Sequence, residues 1–70
     1  MQINMALKLA RIKAGMTIEQ VSEISGHTPG TISKTERGET SPSIATVESI
    51  LAAINPALEL RILQKEYGNG

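Results

Sequence analysis

Apolar residues recur at helical spacing in four stretches of this chain, and then the period changes. Ile3, Leu7, Ala10 and Ala14 stand three or four residues apart, which predicts a helix from about Asn4 to Lys13, with Gly15 placed to stop it. Ile18, Val21, Ile24 and Ser25 form a second stripe closed by Gly26. Thr17, with Gln20 three residues on, marks its start as a capping box, in which each side chain serves a backbone N–H the helix leaves free. Thr28 caps a third segment and Pro29 occupies its first helical position, where the missing N–H costs nothing. This helix ends at Arg37-Gly38, and Ile32 is its one strongly apolar member. Ser43 caps a fourth, whose Ile44, Val47, Ile50, Leu51 and Ile54 make the clearest stripe in the chain, and Asn55-Pro56 is expected to end it. Beyond it, in "LELRIL", Leu58, Leu60 and Ile62 alternate with Glu59, Arg61 and Leu63, the period of a β-strand.

A helix with one core anchor shows most of its surface to something other than its own domain. The third helix is also weakened at its start, because Gly30 costs about 1 kcal/mol relative to alanine in a helix interior. Two helices joined by a short turn at Gly26, the second capped, polar and exposed, describe a helix-turn-helix, whose second helix enters the DNA major groove N-terminus first. The partial positive charge and free N–H groups of such an N-terminus suit a phosphate.

Composition narrows the setting. Seventy residues make one domain at most, with a marginal core built almost wholly from aliphatics, since Tyr67 is the sole aromatic and there is no cysteine. Small domains of this kind often gain stability by pairing with a copy of themselves. The net charge is zero, which argues against a protein that coats nucleic acid indiscriminately. The first 38 residues nevertheless carry Lys8, Arg11, Lys13, Lys34 and Arg37 against Glu19, Glu23 and Glu36, enough to permit a basic face. The longest wholly apolar run, Ile50 to Ile54, is too short to cross a membrane, and no leader-like segment opens the sequence, so no membrane association and a cytoplasmic location are expected. His27, the only histidine, has no cysteine or second histidine with which to share a metal, and reads as a solvated turn residue. No Gly-rich phosphate loop, metal cluster or activated nucleophile is recognisable, so neither an enzyme nor a cofactor or metal is expected.

The stretch "GMTIEQVSEISGHTPGTISKTERGETSPSIATVESILAAI" resembles the lambda repressor/Cro-like (XRE) helix-turn-helix family over roughly residues 7 to 54, most specifically in "TISKTERG" and the "PS" that follows. The resemblance implies a mainly α, compact four-helix domain that binds double-stranded DNA as a homodimer on a palindromic operator and represses transcription. It makes Thr28 to Lys34 the recognition helix and Arg11 with Glu36 a structural ion pair. The tail, running from "ILAAINP" into "ALELRIL", is similar to the HipB-like antitoxins. There a short C-terminal β-strand pairs across the dimer, which would put Leu58, Leu60 and Ile62 in the interface. On this reading residues 3–55 form the DNA-binding domain, 57–65 the dimerisation strand and 66–70 a flexible tail, and an antitoxin that binds a toxin protein is the alternative function.

Three positions depart from the family. Ile18 stands where a glutamine usually touches the DNA backbone, Pro29 and Gly30 replace longer polar or basic side chains, and Thr35 replaces a larger apolar one. Base reading is left to Thr31, Lys34 and Ser33. Lys34 is long enough to reach guanine O6 and N7, and Thr31 to meet a thymine methyl. Thr17, Thr28, Pro29 and Gly30 would lie close to the backbone, and Arg37, Thr40, Ser41 and Ser43 are candidate phosphate contacts, which position without reading sequence. Gly30 has two readings: a bare residue that lets the helix approach DNA closely, or a position where drift has removed a DNA-touching side chain.

Overall fold

The computed structural model describes residues 2–67 of the chain, except for the side chain of Tyr67. Four helices follow one another: α1 (Ile3–Lys13), α2 (Ile18–Ser25), α3 (Pro29–Glu36) and α4 (Ile44–Tyr67). Each sends apolar side chains to one centre. Leu7 comes from α1 and Ala14 from its C-cap, Val21 from α2, Ile32 from α3, and Ile50, Ala53 and Ile54 from α4. Burying each of the larger aliphatics contributes about 1.5–3 kcal/mol. α1 packs on α4 and α3, and α2 on α3 and α4, so α3 is held between the first two helices and turned outward.

The ends of the helices are set by local chemistry. Gly15, at φ +71°, closes α1, with its own N–H donating to the Ile12 carbonyl (2.9 Å) and the Met16 N–H to the Arg11 carbonyl (3.1 Å). This pair of bonds, reaching back three and five residues, is the Schellman arrangement that suits a left-handed glycine. Thr17 and Gln20 form the reciprocal cap at the start of α2, with N–H to side-chain oxygen distances of 2.9 and 3.1 Å. The Ser43 hydroxyl caps α4 by accepting from the Thr46 N–H at 3.1 Å.

The fourth helix corrects the expectation drawn for the tail. α4 does not stop at Asn55-Pro56, and Leu58 to Leu63 is helix, not strand. Proline at position 56 removes one N–H and crowds the carbonyl of Ala52, a cost of about 3 kcal/mol in a helix interior. Ala52 lies on the exposed side, where water can take the freed carbonyl. On the other side, continuing the helix keeps Ala57 and Leu58 in register with Ile50 and Ile54, and both pack against the core. An extended strand would carry them away from it. The segment Ala57 to Glu66 is also rich in strong helix formers (Ala, Leu, Glu, Arg, Gln, Lys), with Ile62 its single β-branched member. Spacings of two and of four both connect Leu58 to Ile62, which is why the alternation misled.

Of the three residues expected to share one strand face, Leu58 is half-buried against its own domain while Leu60 and Ile62 are exposed. The expected flexible tail over 66–70 overlaps the end of α4 at Glu66 and Tyr67, and its remainder, 68–70, lies outside the described residues. Some stripe members also stay out of the core: Ile24 is 64% exposed and Ile44 78%. Each lies in an outer turn of its helix, beyond the reach of the neighbouring elements.

Candidate nucleic-acid interface

The turn between α2 and α3 is built from short polar contacts. Gly26 takes the left-handed conformation at φ +82° and closes α2, its N–H donating to the Ser22 carbonyl at 3.0 Å. The Ser22 hydroxyl then donates to the His27 carbonyl at 2.6 Å. His27 is half-buried rather than solvated, with Nε2 enclosed and without a hydrogen-bond partner. Thr28 starts α3: its Oγ1 accepts from the Thr31 N–H at 3.2 Å and its hydroxyl donates to Thr31 Oγ1 at 2.9 Å. The two threonines therefore present one linked hydroxyl pair at the N-terminus of α3.

Below this turn, α3 is attached by three buried residues, Ile32, Thr35 and Glu36. Thr35 satisfies its buried hydroxyl by donating to the Thr31 carbonyl one turn earlier, at 2.8 Å. Glu36 receives a two-pronged bond from Arg11 on α1, Nε to Oε2 at 2.7 Å and Nη2 to Oε1 at 3.0 Å, while Arg11 Nη1 donates to the Met16 carbonyl at 2.9 Å. The two side chains are 13% and 7% exposed. The hydrogen bond to Glu36 holds the Arg11 pKa above its ordinary value despite the opposing effect of burial. Asn4 adds a bond from Nδ2 to the Glu36 carbonyl at 3.3 Å. Both ends of α3 are thus fixed from behind.

The front is left open. Pro29, Gly30, Thr31, Lys34 and Arg37 are exposed and Ser33 half-buried. Helical spacing puts Gly30, Lys34 and Arg37 on one outward face, opposite Ile32. A methyl group at Gly30 would meet nothing within 4 Å, and its φ is not one that needs glycine. The protein itself gives no reason for a bare residue there.

At the far end of α3, Gly38 (φ +75°) makes a second Schellman closure, its N–H to the Thr35 carbonyl (3.1 Å) and the Glu39 N–H to the Lys34 carbonyl (2.9 Å). That closure brings Glu39 beside Arg37, which donates through Nε to its carboxylate and through Nη1 to the Ser33 hydroxyl. Both partners are exposed. The bond from Arg37 holds the Glu39 carboxyl below the usual carboxylate range, so the pair stays charged at neutral pH, and Arg37 must leave Glu39 to meet a phosphate.

Other sequence candidates are dispersed. Thr17 serves the start of α2, and Ser43 is occupied at the start of α4. Thr40 and Ser41 line a separate groove with Gln2, Ile3 and Asn4, beside the beginning of α1. Ile18 is half-buried against the core and lines a groove of about 640 Å³ together with Ser33, Arg37, Lys8 and Glu39. Lys8 and Glu39 were not singled out from sequence. The signal for Lys8 was its place three residues before Arg11 on one helix. For Glu39 it was its position just past a closing glycine, next to a cation.

A family model described as Helix-turn-helix, of the XRE type, matches residues 7–60, covering both helices of the motif and most of α4. The chain belongs to this helix-turn-helix family. Membership makes it a DNA-binding regulator, with α2 and α3 as the motif. Neither a curated protein nor a solved structure matches it significantly. No helix among the described residues is long and apolar enough to cross a membrane.

Gly30 offers a direct test of how α3 is used. Gly30→Ala is expected to stabilise the domain by about 0.5–1 kcal/mol, since alanine lowers the entropy of the unfolded chain and meets no clash. Thermal melts measure that gain, and an unchanged or lowered midpoint would refute it. A raised midpoint with weaker DNA binding favours the close-approach reading of Gly30, and unchanged binding favours drift.

Proposed function

We propose that this helix-turn-helix protein is a homodimeric, sequence-specific repressor that acts in the cytoplasm on a palindromic operator. The observation that carries the reading is α3 itself. It is an eight-residue helix fixed from behind by Ile32, Thr35 and Glu36, with its N-terminus and one polar face free. A two-fold dimer would place two such helices about 34 Å apart, matching successive major grooves on one side of the duplex. In this reading Lys34 reads a base edge and Thr31 assists. Thr17, Thr28, Arg37, Thr40, Ser41 and Ser43 position the protein on phosphates, with Arg37 exchanging Glu39 for DNA.

The alternative, an antitoxin that sequesters a toxin protein and regulates its own operon, drew its support from the tail strand. With α4 helical, that support is gone, and exposed Leu60, Ile62 and Leu63 are what remains as a surface for such a partner.

The test is a binding titration against the DNA upstream of the gene at two salt concentrations, with Lys34→Ala beside the wild type. Loss of a base-reading lysine is expected to weaken operator binding by about 1–3 kcal/mol, roughly tenfold to a hundredfold, and binding to random DNA by less. Equal losses on operator and random DNA would make Lys34 a phosphate contact. No preference for any sequence by the wild type would remove the repressor reading itself.

A further inference from the structure

The outer end of α4 carries two unlike faces. One, with α1, forms a groove of about 830 Å³ lined by Ile12, Lys13, Leu58, Arg61, Ile62, Gln64 and Lys65. Its floor is apolar: Ile12 and Ile62 are each about half exposed, with Leu58 beneath them. Lys13, Arg61 and Lys65 rim it, and no carboxylate lines it. The Arg61 guanidinium lies over Gly15, where a methyl group would stand 2.1 Å from Nη1, so this rim is packed against the end of α1. At 3.6 residues per turn, Glu59, Leu60, Leu63 and Glu66 fall on the other side of the same helix. There Leu60 and Leu63 are 56% and 47% exposed, and both glutamates are exposed.

We propose that the groove is the dimer contact of this chain, and that its occupant is the Leu60/Leu63 face of a second copy's α4. The charges decide the occupant. An apolar groove with a basic rim calls for an apolar surface edged with carboxylates, and the chain itself presents one on the opposite face of the helix that forms the groove. Under two-fold symmetry the contact is made twice, because a residue that meets a given partner position in one direction meets it again in the other. Each copy's Glu59 and Glu66 would then edge the other's Lys13, Arg61 and Lys65 while Leu60 and Leu63 cover Ile12 and Ile62. Groove against groove would instead set three cations against three. This assignment rests on the homodimer reading above and supplies the surface for it.

The test reverses one side of the complementarity at a time in the full chain, read by sedimentation without DNA, with circular dichroism to check that helix content is retained. Lys13→Glu with Lys65→Glu, and separately Glu59→Lys with Glu66→Lys, should each weaken self-association by roughly tenfold or more, since like charges then face one another. Mixing the two double variants should restore dimers, now of one chain with the other. Glu23→Lys with Glu48→Lys, exposed sites away from α4's outer end, supplies a matched change of net charge and should leave dimerisation unaltered. A wild type that dimerises while both double variants dimerise equally well places the interface elsewhere and overturns the proposal alone. A wild type that stays monomeric at the highest attainable concentration overturns the homodimer reading as well.

Discussion

Glu36→Ala is expected to lower the thermal midpoint by about 12–24 °C. Removing one member of a buried ion pair costs about 3–5 kcal/mol, because the other charge is left without a partner. Here the pair is almost but not wholly enclosed, at 13% and 7% side-chain exposure, so the lower figure of about 3 kcal/mol applies. A domain of this size shifts by about 4–8 °C per kcal/mol. The damage would not be confined to one interaction. Arg11 donates to Glu36 through two nitrogens and to the Met16 carbonyl through a third, so it links α1, the turn before α2 and the end of α3. With Glu36 gone, the guanidinium keeps only the carbonyl. Replacing both residues with apolar side chains of similar volume should recover much of the loss, since the burial penalty then disappears with the charges. Melts of the single and double variants decide the matter. A Glu36→Ala midpoint within a few degrees of wild type would mean that solvent already screens the pair.

Local chemistry was the most legible part of this fold. Thr17 with Gln20, Thr28 before Pro29, and Ser43 mark helix starts because each supplies an acceptor for an orphan N–H, and such signals need no knowledge of the tertiary structure. Ile32 stood out as the lone anchor of α3 for the same reason: one large apolar residue among polar neighbours leaves little choice of face. The Arg11–Glu36 pairing was a different matter. Its partners are 25 residues apart, no spacing rule links them, and it followed from the family resemblance alone.

What failed depended on competition between local and distant terms. Pro56 disfavours a helix locally, yet the packing of Ala57 and Leu58 on the core, together with the helix propensity of the residues that follow, offsets that penalty. Period two and period 3.6 are indistinguishable for so short a run as Leu58 to Leu63, and burial breaks the tie. The Schellman closure that carries Glu39 back to Arg37 was equally hidden, although Gly38 was read correctly as a stop.

Ile32→Ala is expected to cost about 2–5 kcal/mol, the range for truncating a buried aliphatic to a methyl, and in the upper part of it. Ile32 is fully buried, and its neighbours Leu7, Val21, Ile50 and Ile54 come from three other helices, each fixed by its own packing. They have little freedom to collapse into the space left behind. Small domains have only about 0.05–0.15 kcal/mol of stability per residue, so a loss of this size would leave a large fraction of molecules unfolded near physiological temperature. Ile32→Val separates the cavity from the fold, since removing a single methylene should cost only about 0.5–1.5 kcal/mol. The valine variant also bears on function. Ile32 is the one large apolar side chain holding α3 against the domain, so a looser anchor lets the recognition helix move relative to α2. Operator binding by Ile32→Val should then fall by more than its fraction unfolded accounts for. Chemical denaturation and a DNA titration on the same preparation would measure the two quantities together. Affinity that tracks the folded fraction alone would show that Ile32 serves stability and that Thr35 and Glu36 suffice to hold α3 in place.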